Sequence, residues 1–183
     1  MAFMSKKWTH IFKRYHREDD GVAAVEFALV AWPFFLLLFG MIEVSLYYAT
    51  GFVVEGAANA SARIIRTGQA SDSGNPVAAF EDKICEHSQL ILNCDDLQYE
   101  VLEIGENFSD ANLEPDIDED GELVTGGVSV GGSDDVVLIR VGYRYEFKTP
   151  LIGRMLGDTT GTNSQLHVAT VIVRNEPFEF EGI

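Results

Sequence analysis

Basic side chains are scarce in this 183-residue chain: 13 Lys and Arg stand against 29 Asp and Glu, a formal net charge of −16 with a sequence pI near 4.4. Such an acid excess repels phosphate, so nucleic-acid binding is excluded. Catalytic signatures are missing too. There is no G-x-S-x-G, no H-E-x-x-H and no phosphate-cradling glycine loop, and the glycines of 126–132 run into Ser133, Asp134 and Asp135. His87 and His167 have no nucleophile motif beside them, and His10 and His16 lie near the N-terminus; these fit structural histidines rather than an enzyme or a cofactor site. Cysteine occurs only twice, Cys85 and Cys94, without the C-x-x-C spacing of a redox or zinc site, so a disulfide on an oxidising side of a membrane is the expectation. No internal repeat is visible.

What is present is one long apolar run. From Val22 to Ile42 the only charge is Glu26, and about 20 apolar residues suffice for a helix to cross a hydrocarbon core. The leader before it carries Lys6, Lys7, Lys13, Arg14 and Arg17 against Glu18, Asp19 and Asp20, while residues 22–183 hold 8 basic and 26 acidic residues. Because Lys and Arg beside a span stay inside, the N-terminus is expected in the cytoplasm and the acidic bulk outside.

Glu26 is expensive in that setting, on the order of 3 kcal/mol for an ionised acid near mid-bilayer. A chain cut between Gly21 and Val22 would acquire an α-amino group four residues from Glu26, or beside that of a neighbouring copy. At ~4 Å and an effective dielectric near 20 such a pair is worth about 4 kcal/mol, enough to offset insertion. The alternative is an ordinary single-pass anchor whose acid snorkels to the headgroups. A secretory signal peptide is a poorer fit, since its apolar core is shorter and the small residues 57–60 lie too far beyond this one.

After Ile42 the apolar pattern continues. Val44, Tyr47, Gly51, Val54, Ala58, Ser61 and Ile65 fall at helical spacing, with Leu46, Val53, Ala57, Ala60 and Ile64 as a second row. The helix is expected over 22–68, membrane-spanning to about 42, with Pro33 removing one backbone hydrogen bond inside it. The small residues Gly51, Gly56, Ala57, Ala58, Ala60, Ser61 and Ala62 would let other helices approach closely, so the outer half should pack partly on its own head and partly on other subunits. Asn75 and Pro76 read as an N-cap and first helical residue of a second helix that holds Cys85.

Strands are expected at 97–104, 136–148 and 166–174. In the middle one, Val137, Ile139, Val141, Tyr143, Tyr145 and Phe147 share one face, and Arg140, Arg144, Glu146 and Lys148 share the other, which reads as solvated. The long helix is the natural cover for the apolar face. Thr149 and Pro150 open a helical turn ending at Gly157, and 161–164 is a loop. The fold class is α+β: a long N-terminal helix on a small antiparallel sheet in a head domain over 69–183. Asp116, Asp118, Asp120 and Gly121 copy the opening of a calcium loop, but Gly127 stands where the bidentate Glu belongs. A solvated acidic loop is the preferred reading, and no metal is assigned.

The run Gly21-Val22-Ala23-Ala24-Val25-Glu26-Phe27-Ala28-Leu29-Val30, then Pro33, the Phe/Leu stretch and Gly40-Met41-Ile42-Glu43, resembles the start of the TadE-like proteins, minor pilins (pseudopilins) of tight-adherence pili. The resemblance covers about the first 70 residues. It implies cleavage by a prepilin peptidase at Gly21/Val22, with Glu26 as the fifth mature residue and Glu26 and Phe27 serving assembly. It also implies a place in the bacterial inner membrane and then in a pilus. The implied partners are the peptidase, major and other minor pilins, the inner-membrane assembly platform and membrane lipid. A type II secretion pseudopilin usually opens Phe-Thr-Leu-Ile-Glu, from which the 21-residue basic leader and Ala23-Ala24-Val25 before Glu26 depart. That reading and an uncleaved anchored binding domain stand as the alternatives.

Overall fold

A computed structural model describes residues 20–105, 107–158 and 163–177. The basic leader therefore lies outside the described residues, as do Gly161 and Thr162 of the expected loop. Helix α1 runs Asp20–Arg66, through Pro33, and its last turn carries Arg63 and Arg66 where cations suit the helix C-terminus. It stops where the backbone turns left-handed at Gly68, φ 72°, a conformation glycine adopts without a Cβ penalty. A single turn, α2 (Gln69–Asp72), precedes α3 (Pro76–Ser88). The Asn75 side chain accepts the Ala78 N–H at 3.3 Å and Pro76 takes the first helical position, as the sequence pattern implies.

Strands β1 (Leu97–Gly105), β2 (Val136–Glu146) and β3 (Ser164–Arg174) form one antiparallel sheet in the order β1-β2-β3. The short helix α4 (Pro150–Leu156) joins β2 to β3. Two compact units emerge, Met1–Ile42 and Glu43–Ile183. In the first, the side chains along α1 are bare: Phe27, Trp32 and Met41 keep 71%, 73% and 73% of their surface. Among the described residues this is the one helix long and apolar enough to cross a membrane.

The second unit has a core. Val54, Ala57, Ala58, Ala62 and Ile65 of α1 and Phe80 and Ile84 of α3 close over Val101, Val137, Ile139 and Val141 of the sheet. The small residues 57, 58, 61 and 62 are fully covered within this unit, so their closeness serves the chain's own sheet. Gly51 and Ala60 are half-buried, and Gly56 has open space around it. Cys85 of α3 is bridged to Cys94, their Cα atoms 5.4 Å apart, which fastens α3 to the turn that leads into β1. For a loop of about ten residues, chain entropy makes such a link worth roughly 2.7 kcal/mol.

The second face of β2 is not solvated as its alternation suggests. Arg140 keeps 3% of its surface and Glu100, beside it on β1, keeps 4%. The cause is the connection from β1 to β2, which folds back across this face. Arg140 pairs with Glu100 and donates to the carbonyls of Asn112 and Glu114, the latter at 3.0 Å. Arg144 pairs with Glu122 at 2.6 Å and donates to the Gly121 carbonyl. Leu123 N–H reaches Gln98 at 2.7 Å and Gly126 N–H reaches Glu100 at 3.2 Å. Two arginines thus draw the acidic loop down onto the sheet, leaving Glu146 and Lys148 exposed as expected.

Candidate functional site

The sequence points to the start of α1. Gly21 sits in its first turn, and a Cβ built on it meets nothing within 4 Å, so no contact among the described residues requires glycine there. Val22 and Phe27 are exposed at 54% and 71%. Glu26 is exposed as well, and among the described residues no hydrogen bond or ion pair reaches it. Gly21, Val22, Glu26 and Phe27 are close neighbours along one helix, and none is used to stabilise it.

A second glutamate on the same helix behaves otherwise. Glu43 keeps 5% of its surface and is the first residue of the second unit. Its carboxylate accepts the Lys148 N–H and, at 2.7 Å, the Thr149 N–H. These are the residues leading into α4, where backbone donors have no helical acceptor. Burial pushes the Glu43 carboxyl up, but the hydrogen bonds from Thr149 and Lys148 and the Lys148 charge outweigh it and hold the group below its usual value. Glu43 therefore fastens α1 to the end of β2. The sequence signalled Glu43 as the charge after the apolar run and as part of the TadE resemblance, but not as a contact to the end of β2.

Above Glu43, Tyr47 stacks on Phe147, ring centroids 5.4 Å apart, and on His167 of β3 at 4.3 Å. A Cβ on Gly51 would lie 3.1 Å from the His167 ring, so this glycine makes room for the histidine. His167 Nε2 is buried without a partner among the described residues. Burial presses the imidazole pKa down, opposed only in part by its hydrogen bond to the Tyr47 backbone. His87, in the last turn of α3, is exposed and lies on a different element. Among the described residues, no hydrogen bond joins either histidine side chain to a nucleophile.

In the acidic loop, Asp118 Oδ1 accepts the N–H groups of Asp120 (3.0 Å) and Glu122 (2.9 Å), and Ile117 bridges Leu123. Asp118 is thus engaged in closing the turn, and Glu122 is engaged with Arg144. Among the described residues no group of three or more His, Cys, Asp or Glu side chains could hold a metal ion.

No curated protein and no solved structure matches the chain. The segment that carries Gly21, Glu26 and Glu43 does match a family: residues 21–63 fit the family model described as TadE-like protein, and over that segment the chain is TadE-like.

Proposed function

We propose that this chain is a minor pilin (pseudopilin) of a tight-adherence pilus, made with a cytoplasmic leader of residues 1–21 and cut by a prepilin peptidase between Gly21 and Val22. The cut chain is held in the bacterial inner membrane by 22–42, with its head outside, until it enters or primes the pilus. The observation that carries this reading is the bare apolar stretch after Gly21 with an unpartnered acid five residues in, inside the TadE-like segment. Glycine is not needed there for packing, which supports recognition by an outside enzyme.

The task is assembly rather than catalysis. In lipid, the apolar helix loses little by moving into a bundle of similar helices, so van der Waals packing and polar pairing decide the outcome. The new Val22 ammonium and the Glu26 carboxylate form such a pair, within one subunit or between two, and fix the axial register. Phe27, beside the acid, fills the adjoining apolar contact.

Intact-mass measurement on protein from its native host tests the cut: the mature chain should begin at Val22, and an N-terminus still at Met1 in an assembled pilus overturns the reading. Glu26→Ala should keep insertion and cleavage but lose incorporation into pili. Normal piliation with that variant removes the pairing role.

A further inference from the structure

The two edges of the sheet are finished differently. On β1 the outward backbone of Val101 is occupied: its N–H donates to the Gly127 carbonyl at 2.9 Å and its carbonyl accepts from Ser129 at 2.8 Å. On β3 the outward groups belong to the even-numbered residues. Leu166 N–H, for example, turns away from β2 to the Asp158 side chain, and Ser164 O accepts from Asp158 N–H. Beyond that, the outward N–H and C=O groups of Val168, Thr170 and Ile172 have no partner among the described residues. Nor does the strand protect itself by charge. Residues 165–173 contain no Asp, Glu, Lys or Arg in a chain of net charge −16, whereas exposed edges are ordinarily blunted by charges, proline or bulges.

Beside this edge runs an open groove of about 650 Å³ between α1 and β3, walled by Tyr48, Phe52 and Glu55 on the helix and 167–172 on the strand. Tyr48 and Phe52 are 60% and 71% exposed. We infer that the β3 edge and this groove take an extended segment of a different protein, added as a fourth strand, with uncharged β-branched side chains and a basic residue opposite Glu55. Backbone bonds to Val168, Thr170 and Ile172 supply the pairing, and the aromatic wall covers one face of the incoming strand.

A second copy of the chain is a poorer occupant, and here the inference rests on the membrane anchoring proposed above. α1 and β3 advance in the same direction, since His167 meets Tyr47 while Glu176 N–H meets the Arg66 carbonyl. Antiparallel pairing of two β3 edges needs a two-fold along the sheet normal, which would reverse one helix against the other. Parallel pairing keeps the helices aligned but sets identical groups at equal height, N–H against N–H, unless the copies slip by a residue. On the other edge, on β1, the central position Val101 is already taken by Gly127 and Ser129.

The test uses the full chain in detergent micelles and a short acetylated, amidated peptide of alternating valine and threonine with lysine at each end. At ~1 mM peptide, amide exchange at Val168, Thr170 and Ile172 should slow by at least about tenfold, while Ala169 and Val171, already bonded to β2, stay unchanged. Thr170→Pro removes an outward donor that the ladder does not use, and should abolish the protection; Ala169 and Val171 exchange reports whether the strand persists. If it does not, Thr170→Lys, which places a charge on the edge, serves instead. Glu55→Lys should weaken binding about two- to fivefold. Absence of protection, a variant that binds as well, or protection that appears without peptide as the chain is concentrated each overturns the inference. The mass of the same sample separates this from the pilin reading: protection on a chain from the native host that still starts at Met1 keeps the strand site and sinks the pilin, and a cut chain without protection does the reverse.

Discussion

Of the three glutamates and four glycines on one helix, Glu26 and Gly21 have surroundings opposite to those of Glu43 and Gly51. Glu26 and Gly21 touch nothing among the described residues, whereas Glu43 is buried on two backbone N–H groups and Gly51 lies against His167. The same contrast runs through apolar side chains of this helix: Phe27, Trp32 and Met41 are bare in the first unit, whereas Val54, Ala58 and Ile65 are packed in the second. A residue type that the fold requires can be recognised by what its removal would leave unsatisfied. Where removal would leave nothing unsatisfied among the described residues, as at Gly21 and Glu26, the fold makes no demand of its own, and the proposed function assigns the demand to lipid, a peptidase or another subunit.

The largest effect that sharpens this contrast is expected from the acids. Glu43→Ala strips the acceptor from two backbone donors at a buried position and should destabilise the second unit by about 2–3 kcal/mol. Glu26→Ala should leave its melting within about 0.5 kcal/mol of the parent. Thermal unfolding of the full chain in detergent, followed by near-ultraviolet circular dichroism, reads both. Equal losses for the two variants would break the division of labour between the glutamates.

The glycines give the next effect. Gly51→Leu drives a side chain into the His167 ring and should cost about 1–3 kcal/mol by overpacking. Gly51→Ala is gentler, because a gain of about 0.8–1 kcal/mol in helix propensity opposes the contact at 3.1 Å. Gly21→Ala should not change the melting of the second unit by more than about 0.5 kcal/mol. It should, however, abolish the shift to a lower mass that leader removal produces. A Gly21→Ala chain that is still shortened at the same bond would put the demand for glycine elsewhere.

How much of this could be read from the chain alone depends on where each partner sits. The extent of α1, its stop at Gly68, the Asn75-Pro76 helix start and the pairing of Cys85 with Cys94 rest on local patterns, and these the residues display. Strand positions were legible to within two residues at either end, since β-branched and aromatic runs mark them. The burial of Arg140 was not legible. Its alternation places it on a polar face, and the groups that cover it, the carbonyls of Asn112 and Glu114, lie in a loop with no apolar periodicity. Glu43 was hidden for the same reason, because its acceptor role is to backbone 105 residues further on. The Gly21 and Glu26 motif stood out because a lone acid in a long apolar run is costly wherever that run is buried in lipid.

The smallest expected effect is a pH dependence confined to the second unit. His167 has a pKa below its ordinary 6.5 because burial beside Tyr47 and Gly51 disfavours the imidazolium. An unfolded chain then takes up a proton more readily than the folded one in the interval beneath that value, so stability is complete above about pH 6.5 and falls as pH drops through the folded-state pKa. The other ionisable groups around it do not share that interval. Burial raises the Tyr47, Tyr143 and Tyr145 phenols above 10, and Glu43, held below 4.5, weakens the fold only further into acid. Melting temperatures of the full chain should therefore decline in two steps on acidification. His167→Gln should remove the upper step alone, and Glu43→Gln the lower one. The exposed Glu26→Gln chain should keep both steps, because among the described residues no hydrogen bond or ion pair reaches that carboxylate. Loss of the upper step in Glu26→Gln would show that the two units are coupled in a way that their separate packing gives no reason to expect.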